Sequence, residues 1–492
     1  MMATWVQNLP LLLPWLVILP LVWALLSLAL GTHYRHWLAG LAISALLLVN
    51  LGLLGQWLLW GDLTYALGDW EAPLGIQLRL DGLALALVGV TSLVTTACAL
   101  HASTYLDDYP RAQQYFWPLL AFIWASLNVI WLSADLFNLY VGLELLGLSA
   151  VGLVALTGQT EALGAALRYL YAALLGSLAY LLGVALIYSG YGQLDILALA
   201  PLLQSDATTR LALALMTLGL LLKTAIFPLH SWLPPAHGKA LPPVSALLSA
   251  LVIKASFYIL ARLWLETGIQ VVVPSAAQML GALGAGAVFW GGWMAWRQNE
   301  LKMLVAYSTV AQLGYLMLMF PLAVGVSPAA AQLAWEGGWL HLIAHALAKA
   351  AMFLAAGNLV LAMRRPDLQG LHGVGRFLPF SLLGFGLAGV SVMGLPPSGG
   401  FMAKWLLLQS ALLSGQWWWL LVLVAGSALS ALYIFKVYQQ CYVDDTEVDS
   451  FRHPSLWMDL SSILLAILAL GLGLFSAWPQ TLIGSVLDGG AG

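Results

Sequence analysis

The chain has 492 residues, of which 62% are hydrophobic and only 8% charged, with a formal net charge of −3. A soluble domain carries about 25% charged residues, so the composition excludes a water-soluble enzyme and defines a polytopic membrane protein. No basic patch points to nucleic acid, and the only two cysteines, Cys98 and Cys441, lie far apart in or beside apolar runs, which makes neither a metal site nor a disulfide framework.

A bilayer core of about 30 Å takes about 20 apolar residues per helix. On that measure the chain is expected to form fourteen spans, at 10–31, 37–60, 82–102, 114–133, 136–157, 165–190, 208–228, 241–265, 271–296, 301–321, 337–362, 377–412, 417–440 and 456–478. No Lys or Arg precedes the first apolar run, so it is expected to stay in place as a span and not to be cleaved as a signal peptide. Span 5 carries Glu144 within LFNLYVGLELLGLSAVGL. Span 7 carries Lys223 and ends in KTAIFPLHSWLPP, where Pro228 removes a backbone donor and should break the helix just before His230. Span 8 contains SALLSALVIKASFYILAR, with Lys254 at its centre and no other charge before Arg262. Lys302 opens span 10. His341, His345 and Lys349 stand at i, i+4 and i+8 in span 11, near one helix face. The twelfth stretch is too long for one helix and contains GLPPSGG, so it is expected to break at Pro396 and Pro397 and restart toward Lys404.

Two broken helices five spans apart point to inverted repeats, with the breaks in equivalent positions. The expected organisation is a three-helix segment (1–112), a first five-helix repeat (113–266), a second (267–440) and a C-terminal helix (441–492). With the N-terminus outside, the inner loops hold eleven Lys and Arg, among them Arg35, Arg111, Lys239, Arg364 and Arg452, and the outer loops only Arg79, Arg210 and Arg262. That asymmetry follows the positive-inside rule and predicts both termini outside.

A charge at the middle of a membrane helix costs roughly 2.5–3.5 kcal/mol on insertion scales, and such residues commonly mark ion or proton paths. Glu144 and Lys223 on facing helices would offset each other, either as a structural ion pair or as a coupling pair; the second reading is preferred. Lys254 is too central to snorkel to a surface. The His341, His345 and Lys349 face fits a proton relay, histidine being the side chain that ordinarily titrates near neutrality. A metal or haem at His341 and His345 would need further ligands, and none stands nearby in sequence. Lys404 is either a carrier near an exit or a helix-restart lysine facing headgroups. Lys302 is read as an interfacial anchor, and His230 as a gate. The 48 glycines are read as packing surfaces. No phosphate-binding loop, nucleophile elbow or zinc-protease motif occurs, so no catalytic site and no cofactor is expected in this chain.

KTAIFPLHSWLPPAHGKALPPVSALLSALVIKASFYIL (Lys223–Leu260) resembles the signature of the antiporter-like subunits of respiratory complex I and of Mrp-type cation/proton antiporters. LKMLVAYSTVAQLGY, HLIAHALAKAAMF and GLPPSGGFMAKWLLL resemble the other blocks of that family, in the same order. The resemblance implies fourteen helices, two inverted five-helix repeats and broken helices 7 and 12. It implies proton translocation by a glutamate–lysine pair matching Glu144 and Lys223, a central lysine matching Lys254, a group matching His341, His345 and Lys349, and a lysine matching Lys404. Pro228, Pro396, Pro397 and His230 fall where gating is expected. Length and the LPPVSALLSALVIKA block look closest to the D-type Mrp subunit, whereas the HxxxHxxxK pattern also resembles larger members. The implied setting is a bacterial-type inner membrane, among other membrane subunits, with H⁺ and Na⁺ or K⁺ as the ions moved. A proton-pumping subunit of a redox complex, of the complex I or membrane-bound hydrogenase type, is the alternative.

Overall fold

The computed structural model describes residues 12–70, 75–443 and 452–488. The chain termini, expected outside the membrane, and most of the polar stretch 441–455 fall outside the described residues. Nearly everything described is helix. The first half comprises α1 (Leu12–Leu30), α2 (Arg35–Trp60), α3 (Gly82–Tyr105), α4 (Pro110–Leu132), α5 (Leu136–Val154), α6 (Thr160–Tyr191), α7 (Ala207–Thr224) and α8 (Pro242–Thr267). The second half comprises α9 (Pro274–Arg297), α10 (Leu301–Met317), α11 (Pro328–Met363), α12 (Pro379–Met393), α13 (Gly399–Leu413), α14 (Trp418–Cys441), α15 (Leu456–Leu474) and α16 (Ala477–Asp488). Among the described residues, 12 helices are long and apolar enough to cross a membrane. α9 equals them in length, and α12 and α13 together make one interrupted crossing unit. The protein is an all-helical, multi-pass membrane protein.

α8 is the axis of the molecule. Every residue of its most apolar window is buried, and α11 and α7 pack against it. α11 in turn touches α3, α10, α12, α13 and α15. Small residues let some of these helices close up. A Cβ on Gly176 of α6 would sit 2.8 Å from the carbonyl oxygen of Gly219 on α7, so only glycine permits this approach. Gly284 of α9 and Gly314 of α10 meet in the same way.

Both expected breaks are present. α7 stops at Thr224, because Ala225 takes the left-handed conformation (φ 57°), and the chain restarts as a short helix at Leu233–Lys239. α12 stops at Met393, because Gly394 takes that conformation (φ 78°) where glycine pays no Cβ penalty, and Ser398 caps the restart by accepting from the Phe401 N–H. The Phe227–Pro228 and Pro396–Pro397 peptide bonds are cis.

Three features lie outside the sequence expectation. α11 begins at Pro328, not 337, because Ser327 caps it and Pro328 starts it, while Gln332 and Glu336 weaken the apolar signal there. The polar stretch after α2 holds an antiparallel hairpin, β1 (Leu63–Ala66) with β2 (Gln77–Leu80), pairing Leu63 with Leu80. β2 alternates, with Leu78 and Leu80 buried between half-buried Gln77 and Arg79. α16 follows α15 as a separate helix.

Charges separate into two ends. At one end Arg35 pairs with Asp107 (3.6 Å), Lys239 with Glu161 (2.7 Å) and Arg452 with Asp108. At the other, Arg79 pairs with Asp62 (3.5 Å) and Arg262 with Asp81 (2.7 Å). The loops assigned to each side by the alternation of spans therefore do meet one another.

Candidate functional site

The site is a row of buried ionisable side chains across the middle of the bundle. Its first member is the Glu144–Lys223 pair. α5 is fixed at its start by Asp135, whose carboxylate accepts from the Asn138 N–H (2.7 Å). This helix presents Glu144 to Lys223 in the last turn of α7, with Lys223 Nζ 3.7 Å from Oε1 of Glu144 and 3.4 Å from the Leu143 carbonyl. Lys223 is buried, whereas the Glu144 side chain keeps about a quarter of its surface exposed. The close approach at Gly176 leaves room for the lysine stem.

Lys254 is 1% exposed and, among the described residues, forms no ion pair with a carboxylate. Its Nζ donates to the Ser249 carbonyl at 2.6 Å. Ser249 belongs to a wide, π-type turn of α8, Leu248–Val252, in which the Ile253 N–H bonds Leu248, five residues back. Lys349 of α11, fully buried, donates to the Val305 carbonyl at 3.1 Å and to the Ser308 hydroxyl, both on α10.

His341 and His345 are both buried, and their rings stack 5.9 Å apart. His341 Nε2 lies 3.2 Å from the Gln312 carbonyl. Neither ring nitrogen of His345 has a hydrogen-bond partner among the described residues. The two histidines line a narrow crevice with Gln312, Ser391 and Gly400. No group of three or more His, Cys, Asp or Glu side chains suited to a metal ion is found among the described residues.

Lys404, one turn into α13, closes the row. Its ammonium donates to the carbonyls of Val392 (3.2 Å) and Met393 (3.3 Å) and to the Ser427 hydroxyl (3.0 Å). The two carbonyls are orphans of the broken α12, the negative end of its dipole, so the break itself makes the lysine's seat. The same Nζ sits 4.3 Å over the Tyr315 ring, which also meets the His341 ring edge-on at 5.5 Å. His230 accepts from the Trp290 indole N–H at 3.1 Å and stacks on Phe227, beside the first break.

The residues singled out from sequence thus fall into two groups: Glu144 with Lys223, and Lys254 with Lys349, His345, His341 and Lys404. Among the described residues, the hydrogen bonds of the Glu144–Lys223 pair do not extend to Lys254. Lys302, read as an interfacial anchor, is half-buried and donates to the Gly238 carbonyl (3.1 Å) and that of Ala240.

Other buried polar groups were missed. His237, 1% exposed, packs on the Phe353 ring with neither ring nitrogen bonded among the described residues. His101 bonds Asn358 (2.9 Å), which reaches Asp459, itself held by Ser381. His101 and Asp459 carry the signal that picked out Lys254, an ionisable residue within an apolar run. Arg262 joins Asp81 and, through a second nitrogen, both oxygens of Glu266 (2.7 and 2.8 Å).

Fold and site together define a multi-pass helical membrane protein with a buried row of lysines and histidines. The chain belongs to the NADH:quinone oxidoreductase/Mrp antiporter transmembrane family, whose model matches residues 133–430. It is 36% identical over 423 residues to the N-type subunit of the NADH-quinone oxidoreductase of Desulforudis audaxviator, covering 83% of each chain. It is 28% identical over 473 residues to the D-type subunit of the Na⁺/H⁺ antiporter of Alkalihalophilus pseudofirmus, covering 94% of this chain and 93% of that one. Its fold matches a chain of the Mrp complex from Dietzia sp. with a TM-score of 0.87 at 24% identity, over 97% of this chain and 96% of that one.

Proposed function

We propose that this chain is the proton-translocating subunit of a multisubunit Na⁺ or K⁺/proton antiporter, in a bacterial-type inner membrane with both termini outside. The observation that carries the reading is the setting of Lys254, Lys349 and Lys404, three buried lysines held by carbonyls, hydroxyls and an aromatic ring. Such a lysine can release its proton without stranding a counter-charge. Protons would enter from the inner side near Lys223, pass Lys254, and continue by Lys349, His345 and His341 to Lys404. The Glu144–Lys223 pair couples to this route electrostatically, since motion of either partner changes the field at Lys254. His230, Pro228, Pro396 and Pro397 border the two breaks, where a change of backbone would open or close access. Other membrane subunits supply the cation path.

The 36% identity to a complex I-type subunit favours a second reading, a proton-pumping subunit of a redox-driven complex. Everted vesicles carrying the native complex separate the two: a Na⁺ or K⁺ pulse that collapses a dye-reported ΔpH supports the antiporter, and acidification only on adding an electron donor supports the redox pump. Under either driver, Glu144→Ala or Lys223→Ala should abolish coupled proton movement while the complex stays assembled. Unchanged movement in either would remove the pair from the mechanism.

A further inference from the structure

α8 and α10 meet at two hydroxyls. Ser249 Oγ, in the wide turn of α8, lies 2.8 Å from Oγ1 of Thr309, and both side chains are fully buried. On one side, Lys254 Nζ rests on the carbonyl of that same Ser249. On the other, Thr309 Oγ1 and Lys349 Nζ share one acceptor, the Val305 carbonyl, each at 3.1 Å. Two lysines from different helices thus flank a single hydroxyl pair, Lys254 through the Ser249 carbonyl and Lys349, which also donates to the Ser308 hydroxyl, through the shared Val305 carbonyl.

A carbonyl only accepts and cannot pass a proton on, whereas a hydroxyl donates and accepts at once. We propose that Ser249 and Thr309 form the relay that carries a proton between Lys254 and Lys349, which rests on the proton-translocating reading above. The Lys254 ammonium swings from the Ser249 carbonyl to the hydroxyl of that residue and gives its proton to Oγ. The Ser249 hydroxyl proton passes to Thr309 Oγ1, and the Thr309 proton passes to the neutral amine of Lys349. One N–H bond breaks at Lys254 and one forms at Lys349, so a single positive charge moves and no other group changes state. Rotation of the two hydroxyls resets the link. A path made of two hydroxyls carries H⁺ and offers no room or ligand set for Na⁺ or K⁺, so this segment is selective by construction.

A purely structural bond between α8 and α10 predicts something different. Thr309→Val leaves Ser249 without its partner, whereas adding Ser249→Ala removes both hydroxyls and with them the unpaired buried group. Proton movement is read in everted vesicles carrying the full complex, under whichever driver the wild type answers, with Lys254→Ala alongside. The relay predicts that Thr309→Val slows movement by about a hundredfold, the low end for a positioned proton-transfer group. It also predicts that Thr309→Ser restores the rate, and that the double variant stays slow although its thermal stability recovers. A double variant that recovers its rate with its stability makes the bond structural and overturns the relay. So does Thr309→Val at the wild-type rate beside an inactive Lys254→Ala, and that result leaves the wider reading standing. Wild-type rate in Lys254→Ala itself would bring down the wider reading and the relay with it.

Discussion

Lys254 and Arg262 stand two turns apart on the same face of α8, and both are buried. Their partners could hardly differ more. Arg262 has two carboxylates, Asp81 at 2.7 Å and Glu266 at 2.7 and 2.8 Å, and lies over the Tyr258 ring. Lys254 has one carbonyl. Arginine does not give up its proton in proteins, and a guanidinium gripped by two carboxylates is a fixed charge that ties α8 to the start of α3. A lysine resting on a carbonyl is held less tightly once it gives up its charge, and can let go. Burial alone does not separate a structural charge from a mobile one; the partner set does.

The largest effect that tests this contrast is on stability. Arg262→Ala leaves Asp81 buried without its closest partner and should cost about 3–5 kcal/mol, read as a fall in the unfolding temperature of the purified complex. Little change would mean that Arg262 does not clamp α8 to α3. Next comes Lys254→Arg, which keeps the charge and removes the ability to release it. Proton movement should fall by roughly a hundredfold, with assembly and unfolding temperature close to wild type; a transporting arginine variant would erase the distinction between the two positions. The smallest effect is at Tyr315. Tyr315→Leu removes the ring under Lys404, worth about 0.5–2 kcal/mol, while the carbonyl and hydroxyl contacts of Lys404 remain. Proton movement should slow by about two- to thirtyfold; complete loss would make the ring a principal holder of that lysine.

Much of the fold was legible because a bilayer imposes it. Spans follow from apolar length, and the two breaks follow from Pro228 and from the Pro396–Pro397 pair. Glu144, Lys223, Lys254, His341, His345, Lys349 and Lys404 stand out because each is costly where it lies, and the structure brings Glu144 to Lys223 and seats the rest along one row. What stayed hidden is what carries no such cost. Ser249, Thr309, Ser308 and Ser427 are ordinary residues for an apolar helix, so nothing in their sequence context flags them. The carbonyls of Val305, Val392 and Met393 have no sequence identity at all, since they become acceptors only through a packed neighbour or a broken helix. The Asp81–Arg262 contact joins positions 181 residues apart, which no local pattern reveals. The β1–β2 hairpin hid in a stretch legible only as polar.

The length of α11 has an electrical consequence. Its 36 residues make a rod of about 54 Å, against a hydrocarbon layer of about 30 Å, so the rod leans or stands proud of the layer. From His341 to Lys349 is about 12 Å along that rod. Membrane voltage does work only on displacement along the bilayer normal, about 2.3 kcal/mol per charge per 100 mV for the full crossing. The more α11 leans, the more of each step between its carriers runs parallel to the membrane and goes unfelt by the voltage. The electrical work is then concentrated at the entry and exit steps, and those are the steps whose rates should depend on the potential.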